Sequence, residues 1–160
     1  MRRCLTKRVK MTWHLLFFFP FLIQTAVITW DEFYFHHKRG LPRWERIGHP
    51  VDTLSVVICF GFVLFFAYSK PLLWVFCALG VLSCLLVTKD EFVHKEHCNG
   101  QEQWLHALLF LNHPLVLISM GWMWMQQETY QSFMLVQLCS ASLFCLYQTI
   151  YWNVVWKEKK

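Results

Sequence analysis

Three glutamate–histidine pairs in this chain share one spacing. Glu32 and His36, Glu45 and His49, and Glu102 and His106 each stand four residues apart. On a helix, positions four apart lie on one face, so each pair can present an oxygen and a nitrogen to the same point. Asp90, His94 and His97 form a similar stripe, and Glu91 precedes His94 with Glu-x-x-His spacing. Seven of the eight histidines and eight of the ten acidic residues fall within 31–52 and 90–113. Carboxylate with imidazole is a borderline-to-hard ligand set, suited to iron, manganese or zinc. Helix bundles that hold two metals use Glu from some helices and Glu-x-x-His from others. The expected ligands are therefore Glu32, His36, Glu45, His49, Asp90 or Glu91, His94, His97, Glu102 and His106, enough for two ions. Glu91 and Glu102 are the candidate general bases. His113 lies about 10 Å beyond His106 at 1.5 Å per residue, too far to share an ion with it. With Asn112 and Arg43 it is expected to line a substrate pocket.

A gapped internal repeat connects these residues. Asp31-Glu32-Phe33 and Asp90-Glu91-Phe92 are each followed by histidines, His36 and His37 in one case, His94 and His97 in the other. A turn follows, Gly40-Leu41-Pro42 or Asn99-Gly100, and then the Glu45/His49 or Glu102/His106 pair. The repeat predicts two similar helical hairpins side by side.

The elements that must position these groups are long and apolar. Hydrophobic residues make up 56% of the 160, aromatics 18% and charged residues only 16%. Five runs approach the ~20 residues needed to cross hydrocarbon: 11–30, 53–68, 71–88, 104–125 and 132–156. The predicted fold is all-α, a single integral membrane domain over 1–160. Two hairpins form a four-helix bundle, and the fifth helix is appended outside. The first run carries no small-x-small cleavage site before Trp30-Asp31-Glu32, so it is expected to be a retained span. Lysines and arginines flank both ends of the spans, with more on the histidine side, which favours a cytoplasmic histidine face. Ionisable groups gathered at helix ends near a membrane are costly and mark function. His14, alone towards the other end of the first run, is expected to be structural. The seven cysteines form no CxxC pair and no evident disulfide framework. The net charge of +5 is accounted for by membrane flanks, and no nucleic-acid module is evident.

The pattern loosely resembles the membrane di-iron hydroxylases and desaturases. His94-Lys95-Glu96-His97 is a His-x-x-His, and His36-His37 is a paired histidine. The chain departs from that family in lacking His-x-x-His-His, in having fewer histidines and in being richer in carboxylates. The resemblance covers only 31–52 and 90–113. It implies two irons, an electron donor as partner, and oxygen-dependent oxidation of a lipid or other apolar substrate at the bilayer surface. Three alternatives stand beside it. One is a metal-dependent membrane hydrolase. Another is a haem-binding electron carrier with His106 or His113 as axial ligand. The last is a non-catalytic membrane scaffold or subunit in which the histidine segments are basic interfacial patches.

Overall fold

The computed structural model describes residues 15–89 and 98–156, and every regular element among them is helical. Helix α1 spans Phe19–Trp30 and continues through a π-helical turn, Asp31–His36, and a short tail, His37–Arg39. Helix α2 is Arg43–Phe65, α3 is Lys70–Thr88 and α4 is Gly100–Trp124. Helix α5 is Gln127–Ile150 and ends in a second π-helical stretch, Tyr151–Val155. Four of these are long and apolar enough to cross a membrane: Arg43–Phe65, Lys70–Thr88, Gly100–Trp124 and Gln127–Val155.

Local sequence explains the helix boundaries. The turn between α1 and α2 passes through Gly40 at φ 78°, a left-handed conformation that favours glycine. A Cβ there would lie 2.7 Å from the Trp156 ring, so the close approach needs glycine as well. Pro42 precedes α2 in extended conformation, where its missing N–H does no harm. Ser69 accepts from Leu72 N at the start of α3, and Asn99 Oδ1 accepts from Gln101 N and Glu102 N, each at 3.0 Å, at the start of α4.

Helix α2 begins ten residues before the apolar run at 53 and passes through Pro50. A proline inside a helix frees the carbonyl four residues earlier, here that of Arg46. Asn153 Nδ2 of α5 donates to that oxygen at 3.1 Å, so the backbone acceptor is satisfied without ending the helix.

The packing corrects two sequence expectations. Helix α5 is not appended outside a bundle of the other four. It packs along α2 more extensively than any other helix pair, and Thr53 donates to Gln148 Oε1 across that contact at 2.7 Å. Nor is α1 packed as a hairpin with α2. It lies along α4, where Asn112 Nδ2 donates to Pro20 O at 2.8 Å and to Gln24 Oε1 at 2.9 Å. Helix α4 is central, touching α1, α2, α3 and α5. A linear pattern of apolar runs carries no information on which faces meet, because lipid accepts an apolar face as readily as another helix does.

The apolar core sits towards one end of the bundle. Cys59, Val63, Met120, Met123, Trp124 and Met134 are fully buried there. Side chains close the last turn of α2 at that end: Trp124 Nε1 donates to Phe66 O at 2.7 Å, and Gln127 Nε2 reaches Val63 O and Leu64 O. The buried polar residues Asp31, Glu32, His36, Glu45, Glu102 and His106 occupy the other end.

Candidate metal centre

The π-helical turn is the local device that builds the site. In an α-helix, residues five apart point about 140° away from each other. The wider π turn brings Asp31 round to the face of Glu32 and His36. His36 Nδ1 lies 3.3 Å from Glu32 Oε2, and His36 Nε2 lies 3.1 Å from Asp31 Oδ2. Single π turns recur at functional sites for this reason. The first turns of α2 and α4 bring Glu45/His49 and Glu102/His106 to the same place. The rings of His49 and His106 flank that of His36, with centroids 4.7 and 6.4 Å away.

Two ligand sets result. Asp31, His36, Glu102 and His106 are all buried and offer ligand atoms lying within 4.8 Å of one another. His36, Glu45 and half-buried His49 form a second set meeting the same limit, and His36 is common to both. His106 Nε2 lies 3.1 Å from Asp31 Oδ2, while Asp31 Oδ1 is buried with no hydrogen-bond partner among the described residues. A buried carboxylate oxygen without a partner costs free energy unless a cation faces it.

Arg39 ties the two return helices together. Its Nη2 donates to Glu45 Oε2 and to Glu102 Oε1, both at 2.9 Å, and its Nη1 donates to Glu45 Oε1 at 3.2 Å. Glu32 is fixed differently: Gln148 Nε2 donates to Oε2 at 3.2 Å, and Trp152 Nε1 donates to Oε1. The second π-helical stretch holds Trp152 fully buried at this contact.

Asp31 and His36 lie beyond the apolar part of α1, and their proton affinities are displaced. Burial by itself raises the Asp31 carboxyl. Hydrogen bonds from His106 and His36 overcome that and hold it far below the usual carboxylate range. Burial likewise lowers His36, but its contacts with Asp31 and Glu32 win and push it up to about 10.

A cavity of about 320 Å³ opens directly on the site. Asp31, Glu32, His36, His49 and His106 line its polar end, and Phe21, Phe60 and Val116 line its depth beside His113. Asn112 and Arg43, expected in the pocket, do not line it. Asn112 is the clamp between α1 and α4 described above, and Arg43 is exposed at the first turn of α2. His37, next to His36, turns away and shares a 2.8 Å hydrogen bond with Tyr147 Oη. Asp90, Glu91, His94, His97 and His14 lie outside the described residues.

Asp31, Arg39, Gln148 and Trp152 were missing from the expected site. Asp31 fails the α-helical spacing rule, and only a π turn admits it. The gapped repeat carried a usable signal for Arg39. It immediately precedes the turn that leads into the Glu45/His49 helix, and it ends up bridging Glu45 and Glu102.

Comparison with family models, with curated proteins and with solved structures finds no match to this chain.

Proposed function

We propose that the chain is a multi-pass integral membrane metalloenzyme. In this reading a non-haem centre of two divalent ions, iron foremost and manganese or zinc also suited, acts on a lipid or other apolar substrate at the bilayer surface. Oxidation of that substrate is the reaction, with a separate electron donor as partner. A cytoplasmic face for the centre is part of the reading.

The observation that carries it is the convergence of buried ligand groups. Asp31, Glu32, Glu45 and Glu102 are each at most 4% exposed and bring four carboxyl groups together beside His36, His49 and His106. Asp31, His36, Glu102 and His106 offer ligand atoms within 4.8 Å of one another, and His36, Glu45 and His49 meet the same limit. Burying carboxylates together costs several kcal/mol unless cations face them. The donor set fits: carboxylates and imidazoles are ligands for iron, manganese and zinc. When bound, the ions would supply Lewis acidity and, if iron, electron exchange with oxygen.

The chain's own groups would then divide the remaining tasks. Asp31, His36, Glu102 and His106 hold one ion, and Glu45 and His49, beside His36, hold the other. Arg39 orients Glu45 and Glu102, while Trp152 and Gln148 orient Glu32. Arg39 donates to Glu102 Oε1 at 2.9 Å, which fixes the orientation of that carboxyl group towards the centre. The apolar walls of the cavity exclude water and receive the substrate. The helices turn Phe65, Trp74, Leu111 and Leu143 outward with 67% or more exposed, the surface expected against lipid. Trp30 and Trp104, also exposed, sit at the site end, where interfacial aromatics belong.

Metal analysis of detergent-purified protein, with an optical spectrum, tests the reading. Non-haem iron, manganese or zinc at one to two ions per chain is expected, and loss of that metal in Asp31→Asn and His106→Ala. Equal metal content in the wild type and the Asp31/His106 double variant would exclude the site. A haem spectrum would move the protein to the electron-carrier class.

A further inference from the structure

Behind the cavity wall at His113 runs a polar relay that the metal centre does not use. Ser55 of α2, Ser83 of α3 and His113 of α4 meet inside the bundle, with Ser83 fully buried and His113 only 2% exposed. Ser55 Oγ lies 2.7 Å from Asp52 O and 2.7 Å from Ser83 Oγ, and Ser83 Oγ lies 2.9 Å from His113 Nε2.

Proton accounting fixes the direction of the relay. Asp52 O is a carbonyl and can only accept, so the single hydroxyl proton of Ser55 goes to it. Ser55 Oγ must then accept from Ser83, or two oxygens would stand 2.7 Å apart with no proton between them. The Ser83 proton is thereby used, so Ser83 can only accept from His113. His113 Nε2 therefore carries the proton, and in a neutral ring Nδ1 is left as a lone pair. His113 lines the cavity, and Nε2 is its one ring nitrogen with a hydrogen-bond partner among the described residues.

We propose that this end of the cavity is an alcohol-recognition site, in which Nδ1 of His113 accepts a hydrogen bond from a hydroxyl of an otherwise apolar substrate. The inference rests on the cavity being the substrate pocket of the proposed enzyme, and it deepens that reading by naming the substrate's second functional group. His113 stands seven residues from His106, so this hydroxyl lies about 10 Å along the helix axis from the metal end. Between the two ends Leu109 and Phe110 of α4 present apolar side chains to the cavity. The substrate is thus an elongated apolar alcohol that reacts at a position remote from its hydroxyl. A molecule offering only acceptors, such as an ether or ketone, leaves two lone pairs facing each other. A buried acceptor left unmatched weakens binding by roughly ten-fold or more.

Nitrogen-15 spectra of histidine-labelled, metal-free, full-length protein in detergent provide the test, with the His113 signals assigned by their absence in His113→Phe. The expected resting spectrum has the proton on Nε2. Adding octanol should shift the Nδ1 resonance, whereas octyl methyl ether should leave it in place. In Ser83→Ala the preference for the Nε2 proton should weaken, because its acceptor is gone. A proton on Nδ1 in the wild type, or equal responses to octanol and the ether, would overturn the proposal. No metal is present in these samples, so their outcome is independent of whether the carboxylate–histidine centre binds one. If His113→Phe does not fold, His113→Gln, of similar size and polarity, supplies the assignment instead.

Discussion

Trp152 and Arg39 never need to touch a metal to control it. Trp152 donates its indole N–H to Glu32, and Trp152→Phe keeps a buried aromatic ring, though a smaller one, and removes that donor. Loss of an orienting hydrogen bond of this kind typically weakens a metal site ~10–100-fold. Titration of metal into the Trp152→Phe apoprotein should show that loss with the helical content unchanged. A wild-type affinity would leave Trp152 as packing alone. The protons of the site compete with the metal. Asp31, held far below its ordinary 3.8, contributes stability that is present above that value and lost as pH falls through the folded-state value. His36, raised from 6.5 to about 10, contributes stability that is complete below 6.5 and lost as pH rises through about 10. The metal-free protein should therefore be most stable between about pH 4 and 6.5 as far as this pair is concerned. Metal must displace the His36 proton, so its apparent affinity should rise by up to ~10-fold per pH unit between pH 6.5 and 9. Calorimetric titration in buffers of different ionisation enthalpy would count the released proton, and a count of zero would remove His36 from the ligand set.

At the scale of the element, the π-helical turn Asp31–His36 is what separates this site from an ordinary helix end. Inserting one alanine into it, beside Tyr34, which is exposed, would set Asp31 six residues from His36. Asp31 would then swing about 100° further away from His36. The expected result is loss of metal with helical circular dichroism and membrane insertion preserved, whereas Tyr34→Ala should retain metal. Metal retained by the insertion variant would mean that Asp31 is dispensable. The two return helices are poised by their caps as well. Asn99 fixes the first turn of α4, where Glu102 sits. Asn99→Ala should cost about 1 kcal/mol of stability and should loosen Glu102 relative to Arg39.

Across the whole molecule, the apolar core and the charged centre stand at opposite ends of one bundle, with the cavity between them. Metal should stabilise the charged end by mass action. At 1,000 times its Kd, a ligand bound only by the folded state contributes ~4 kcal/mol. Chelation should thus lower the unfolding temperature in detergent, and an unchanged temperature would show that the buried charges are balanced without metal. Gly40 belongs to this scale too, because it holds the α1–α2 turn against Trp156 beyond α5. Gly40→Ala combines a positive φ with a contact of 2.7 Å, so it should destabilise the site end by ~1–3 kcal/mol. Readmitting metal should recover part of that.

The all-helical class and the long apolar helices followed from composition and run length alone, because crossing hydrocarbon demands about 20 apolar residues whatever their order. The shared spacing of Glu32/His36, Glu45/His49 and Glu102/His106 was likewise legible, since four residues is one helical turn. Tertiary structure alone decided the rest. Which helices meet was not legible, because an apolar face carries no address: α5 took the place beside α2, and α1 the place beside α4. The continuity of α2 through Pro50 was hidden because its compensation, the Asn153 side chain on the Arg46 carbonyl, lies more than a hundred residues away. Asp31 entered the centre only through a π turn, a backbone state that the 3.6-residue period does not encode. Arg39 became a bridge only when two separate helices delivered Glu45 and Glu102 to within 2.9 Å of one guanidinium nitrogen. Spacing along one helix is a property of the chain, whereas convergence between helices is a property of the packed molecule.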